Sequence, residues 1–293
     1  MYAITGITGK VGGALADALL DAGLPVRAIV RDAAKAAPWA ARGCAVAIAA
    51  MEDADALARA FADAQAVFVL PPSDFDPEPG YPEARRVIAA VREALETAGP
   101  ERVVCLSTIG ADAERDNLLS QRTLMEQALA TLPMPVTFLR AAWFLDNAAW
   151  DVASARDQGV IRSFLLPLDK RFAMVAALDV GRTAATLIRE RWTGVRMVRL
   201  EGPARVSPND LAAAFAAALG HAVHAEAVPR EEWEALFRAE GMRHPQPRIA
   251  MLDGFNQGWI DFPEHDRDIL KGRTSADEVI ADLVRRDALQ HVA

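Results

Sequence analysis

From residue 1 to about residue 140, short apolar and often β-branched runs alternate with longer segments whose apolar residues recur at helical spacing. The runs YAIT, PVRAIV, CAVAIA, AVFVL, RVVCLS and PVTFLR predict strands. Between the first two, Val11, Ala14, Leu15, Ala18, Leu19 and Ala22 share one face of a predicted helix, which Gly23 ends before Pro25. Further helical segments are predicted at 54–64, 82–98 and 120–131. Strands separated by amphipathic helices imply right-handed crossovers, so the pattern predicts an α/β fold, a doubly wound parallel sheet with helices on both faces.

Beyond residue 150 the rhythm loosens. GVIRSF and FAMVAAL read as short strands, DVGRTAATLIRER as a helix capped by Asp179, and VRMVRLEG as a further strand. Helices are predicted at 208–219, 230–239 and 276–287, while Pro245, Pro247 and Pro263, with Gly254 and Gly258, break the stretch between the last two. The expected organisation is a first unit over 1–155, to which 179–201 returns, and a smaller, mainly helical cap from 156–178 and 202–293. This cap looks too irregular to continue the sheet. There is no internal repeat and no low-complexity linker.

Composition narrows the partners. The 293 residues are 52% hydrophobic and 25% charged, enough for a large core. A net charge of −8 and a pI near 5.2 leave no broad basic surface for phosphate backbones, so no nucleic acid is expected. Cys44 and Cys105 lie far apart in apolar runs and read as buried free thiols of a reducing compartment. No apolar stretch approaches the ~20 residues that span a bilayer and no secretory leader is evident, so the expected location is cytoplasmic, with no membrane partner. None of the five histidines falls in a metal-binding pattern, and no metal is expected.

The sharpest local signal is ITGITGKVGG at residues 4–13, where Gly6, Gly9 and Gly12 separate the first strand from the first helix. Glycine there lets the backbone bend tightly and approach a pyrophosphate, which the unpaired amides and positive end of the helix stabilise. A plain βα turn with a helix-packing glycine is the alternative. The order of strand, glycines and amphipathic helix favours a Rossmann-like dinucleotide site, although the spacing is GxxGxxG and not GxGxxG.

Together TGITGKVGG, VRAIVRDAAK, RVVCLSTIGAD, MEQAL followed by PVTFLRAAWFLDN, and DVGRTAATLI resemble the NmrA-like branch of the atypical short-chain dehydrogenases/reductases. The resemblance covers residues 1–200. It implies a Rossmann-like fold and NAD(P) binding, and it leaves the reaction open, because the family includes reductases of quinones, dyes and phenolic natural products as well as proteins that bind the dinucleotide without turning it over. By this resemblance Thr8, Lys10 and Val11 join the glycines at the cofactor, Leu70, Pro71 and Pro72 flank it, and Ser107 and Thr108 hydrogen-bond it or merely end a strand. Ala142, Trp143, Phe144 and Asn147 follow the sixth strand and would line the nicotinamide and the substrate; Trp143, Phe144 and Trp150 are equally plausible as core.

Where an NAD-binding acid is expected at the end of the second strand, this chain has Arg31, with Lys35 one turn on. A guanidinium suits a 2′-phosphate, so NADP(H) is favoured over NAD(H), with Asp32 as a helix cap. Ordinary members use a serine and a Tyr-x-x-x-Lys pair. Ser107 matches the serine, Arg122 falls at the lysine and Leu118 at the tyrosine. Arg122 is thus a cofactor or substrate contact, or a surface residue paired with Glu126 at i+4. Tyr81, in a long loop after the fourth strand, is a candidate proton donor or a helix-start anchor beside Pro82; His244 is a weaker candidate. With Met242, Met251, Phe255 and Trp259 in the cap, the expected pocket is apolar and aromatic. The leading expectation is an NADPH-dependent reductase of an apolar, conjugated or aromatic small molecule, working without the tyrosine acid. A non-catalytic NADP(H) sensor acting through a protein partner is the alternative, an isomerase or epimerase the weaker one. A homo-oligomer is compatible with all three.

Overall fold

The computed structural model describes residues 1–263 and 268–292. The strands are β1 (Tyr2–Ile4), β2 (Val26–Val30), β3 (Ala45–Ile48), β4 (Ala66–Val69), β5 (Arg102–Thr108), β6 (Val136–Ala141), β7 (Trp143–Phe144), β8 (Val160–Ser163), β9 (Met174–Val175), β10 (Val195–Glu201), β11 (His224–Ala227) and β12 (Leu270–Lys271). Eight of them form one parallel sheet in the order β12-β10-β6-β5-β4-β1-β2-β3. Alternate residues of each strand feed opposite helical layers: Ile4, Ala28 and Phe68 lie in one apolar cluster, Ala3, Ile29 and Val67 in the other. This two-sided burial explains why the predicted strands read as continuous apolar runs.

The helices are α1 (Lys10–Asp21), α2 (Ala37–Ala41), α3 (Ala54–Phe61), α4 (Pro82–Ala98), α5 (Ser120–Leu129), α6 (Val152–Gln158), α7 (Ala177–Leu187), α8 (Pro208–Leu219), α9 (Trp233–Ala239), α10 (Gln246–Gln257) and α11 (Ala276–Val292). Local chemistry starts them: Asp53 accepts from the Ala56 amide ahead of α3, and Ser207 and Asp210 form a reciprocal capping box at α8. The α1 and α7 backbones approach so closely that a Cβ on Gly181 would lie 2.6 Å from both the Val11 carbonyl oxygen and the Ala14 Cβ. No helix is long and apolar enough to cross a membrane among the described residues.

Four features of the second half differ from expectation. Asp179 does not cap α7, which begins two residues earlier; its carboxylate is buried and accepts the Arg273 and Thr274 amides at 2.8 and 2.7 Å. Those contacts bring β12 against β10, so the C-terminal region does extend the sheet, by two residues. The proline-bounded stretch forms α10, because Pro247 falls in its first turn, where an amide would be unpaired anyway, and Gly254 gives Ile260 and Trp259 room to pack against the helix. Finally, β11 pairs with β8, and β7 with β9, in two short parallel ribbons that flank the sheet.

Candidate functional site

Strand order reverses at β1: β2 and β3 lie to one side, β4, β5 and β6 to the other. Such a switch point leaves a crevice outside the carboxyl ends of the strands. Here it is bounded by the glycine loop after β1 and the long loop after β4, and it opens into a cavity of about 920 Å³ whose far wall comes from β7, β8 and α10.

Gly6, Thr8, Gly9, Lys10 and Val11 line this cavity. Gly6 has φ +64°, the left-handed region that glycine adopts without penalty, and an added Cβ would press on Leu70 at 3.1 Å. Gly9 is the N-cap of α1 and offers no side chain to its amides, so the first turn keeps its positive end bare toward the cavity. That cradle fits a pyrophosphate. Gly12 is constrained by the loop itself. It does not line the cavity, and its Cβ would lie 2.3 Å from the Gly6 carbonyl oxygen, so the loop's own backbone excludes a side chain there. Lys10 forms an ion pair at 2.8 Å with Asp146, whose other oxygen accepts the Ala177 amide.

Arg31 and Lys35 stand exposed at the end of β2, outside the cavity lining and without ion pairs among the described residues. Asp32 caps the short 3-10 turn that follows, accepting the Ala34 amide at 2.9 Å.

Arg122 reaches the cavity wall from α5, but not through Glu126. Its guanidinium donates to the carbonyls of Pro71 and Pro72 at 3.0 and 3.1 Å and to Ser73 Oγ at 2.9 Å, holding the long loop in place. Burial lowers its pKa, and no carboxylate pairs with it among the described residues. Glu126 instead receives Arg140 from β6 in a two-point contact of 2.9 and 2.7 Å, and Ser107 donates to the same carboxylate. Ser107 and Thr108 line the cavity, as do Leu70 and Pro71; Pro72 faces a separate, smaller pocket of about 440 Å³.

Leu118 lines the cavity at the position expected for the tyrosine. Tyr81 does not reach it. The Tyr81 hydroxyl donates to Asp116 at 2.7 Å and lies 2.9 Å from the Asn117 carbonyl, in a buried anchor that holds its backbone at φ 58° ahead of Pro82. Burial, then Asp116, raises its pKa further. His244 also lies outside, its amide held by Asp76. No tyrosine or histidine lines the cavity among the described residues.

Ala142, Trp143, Phe144 and Asn147 line the wall, together with Met251 and Phe255 from α10. Met242 and Trp259 do not: Trp259 packs on Gly254 and under Arg115, and Met242 is partly buried against the apolar cluster that runs from the sheet into the cap. Among the polar residues of this wall that sequence reasoning missed are Asp151 and Arg248. Asp151 sits where α6 begins yet caps nothing, and burial pushes its carboxyl up to about 6. Arg248 projects from α10. Neither carries a motif, and only the fold brings them to the cavity.

Residues 6–164 match the family model described as NAD(P)H-binding. The chain is 28% identical over 245 residues to an NAD(P)H azoreductase of Xenophilus azovorans, covering 83% of this chain and 82% of that one. It is 30% identical over 231 residues to the (4-alkanoyl-5-oxo-2,5-dihydrofuran-3-yl)methyl phosphate reductase of Streptomyces griseus, covering 77% and 76%. The structure of an NADPH-dependent quinone oxidoreductase from Escherichia coli complexed with NADPH superimposes with a TM-score of 0.80 at 22% identity, over 97% of this chain and 99% of that one.

Proposed function

The chain belongs to the NAD(P)H-binding family, and from that membership we propose that it is an NADPH-dependent reductase of apolar, conjugated or aromatic acceptors of quinone, dye, enone or imine type. The observation that carries this reading is the continuous cavity running from the bare end of α1 to Trp143, Met251 and Phe255, with no tyrosine or histidine on its wall. Curated relatives named as an azoreductase and a furanone phosphate reductase support it.

When bound, the dinucleotide supplies the hydride. Gly6, Gly9 and the first turn of α1 hold its pyrophosphate, Arg31 and Lys35 receive a 2′-phosphate, and Arg122, with Ser107 and Thr108, borders the nicotinamide side. Residues 1–155 and 179–201 hold the cofactor, while 156–178 and 202–293 complete the acceptor side. Trp143, Phe144, Met251 and Phe255 orient a flat acceptor and exclude water, so proximity supplies most of the acceleration. Leu118 can offer no proton to a nascent alkoxide. Acceptors that delocalise the incoming charge tolerate that lack and take their proton from water at the open mouth beside exposed Trp150. The buried free thiols Cys44 and Cys105 support a reducing, cytoplasmic setting.

The test is NADPH oxidation by purified protein across acceptor classes. Quinones, cationic dyes and enones are expected to turn over well above unactivated ketones, and equal rates would overturn the reading. Tight NADPH binding without oxidation by any acceptor would replace it with a non-catalytic NADP(H) sensor.

A further inference from the structure

Arg248 lines the acceptor side of the cavity beside Met251, Leu252 and Phe255, with its side chain only 22% exposed. The guanidinium stacks on the Phe237 ring, 4.2 Å from its centroid, and makes no hydrogen bond among the described residues. Among the described residues, the one carboxylate within ion-pair range is Glu240, 3.8 Å away on a side chain that is 61% exposed. Burial lowers the arginine's pKa, so its charge is held at a cost that Glu240 does not offset.

Of the other cations near the site, Arg230, Lys10 and Arg122 have partners and Arg162 is open to solvent. Arg230, also in the cap, makes a two-point contact of 2.7 and 2.8 Å with Asp253. Lys10 is paired with Asp146, and Arg122 donates to the loop after β4. Arg162 is solvent-exposed on β8. A guanidinium stacked by one face keeps its donor edges free, and those edges match the paired oxygens of a carboxylate, sulfonate or phosphate.

We propose that Arg248 is an anion subsite, and that the acceptor of this protein is a conjugated ring system carrying an acidic group at the end that meets α10. The inference rests on the reductase reading and narrows it: the rings lie against Trp143 and Phe255 while the anion takes the free edge of Arg248. One acidic substituent then fixes which end of an otherwise featureless flat molecule faces the nicotinamide.

The test compares matched probes. Naphthalene sulfonate and neutral naphthol are titrated against the cofactor-free protein by quenching of tryptophan fluorescence, and naphthoquinone and its sulfonate are compared as acceptors. Arg248→Met keeps an apolar stem on Phe237. It is expected to weaken sulfonate binding and raise the sulfonated quinone's KM by roughly 10- to 150-fold, the span of a lost charge-assisted contact. The KM of the neutral quinone should rise far less than that of the sulfonated one, and the NADPH affinity should change less still. Arg248→Lys should restore part of the sulfonate affinity, and salt should weaken wild-type sulfonate binding. Equal losses for charged and neutral probes, or no loss for either, would overturn the subsite. If the neutral quinone is not reduced by wild-type protein, the reductase reading fails, while the fluorescence arm still decides the role of Arg248.

Discussion

Trp143 and Phe255 meet edge to face, with ring centroids 5.2 Å apart and planes at 89°. One belongs to β7 and the other to α10, so this contact joins the β7–β9 ribbon to the cap along the wall of the acceptor cavity. An aromatic pair of this geometry contributes ~0.5–1.5 kcal/mol beyond its buried area. Phe255→Ala also strips a ring from the proposed acceptor wall, and losing an aromatic contact of that size with the acceptor should raise its KM about 2- to 12-fold, with NADPH affinity unchanged by calorimetry.

The loop glycines are expected to separate under substitution. A Cβ on Gly12 collides with the Gly6 carbonyl, whereas one on Gly9 finds its nearest neighbour at 3.4 Å. Gly12→Ala should lose about 1–3 kcal/mol of stability in chemical denaturation. Gly9→Ala should fold normally and lose NADPH affinity, since its methyl group would enter the space proposed for the pyrophosphate. A stable, fully binding Gly12→Ala protein would contradict the first expectation.

For Arg31, the expected readout is discrimination between cofactors. Arg31→Ala should weaken NADPH binding roughly 10- to 150-fold and leave NADH nearly untouched. Equal losses would show that another group reads the 2′-phosphate.

Asp151 gives stability a pH signature. Its folded pKa of about 6 lies above the ordinary carboxylate value of 3.8, so folding favours its protonated form. The stabilisation from that proton is complete below the ordinary value and is lost as pH rises through about 6. Asp151→Asn should thus match wild type near pH 4 and exceed it by about 3 kcal/mol near pH 8. Denaturation curves at the two pH values check the sign.

The sheet and the cofactor crevice were legible because the strands are buried on both faces and the glycines sit between a strand and a helix. Other features depend on contacts that sequence spacing does not encode. β12 is two residues long and has no pattern of its own; it exists because Asp179 holds the amides beside it. Glu126 sits at i+4 from Arg122, yet Arg140 from a neighbouring strand claims it, and Arg122 turns to loop carbonyls. The prolines around α10 read as breaks because a first-turn proline and an interior one look alike without the helix boundary. Met242 and Trp259 are apolar cap residues like Met251 and Phe255, and only the rotation of α10 and its flanks decides which pair faces the cavity.

The partners of Asp179 also set an order on synthesis. The carboxylate and the edge of β10 leave the ribosome long before Thr274, which at about 5–20 residues per second follows some 4–15 s after Glu201. During that interval the nascent chain carries an open strand edge and an acid whose amide donors have not been made. The nascent sheet is therefore open to chaperones or to another chain until its last strand arrives.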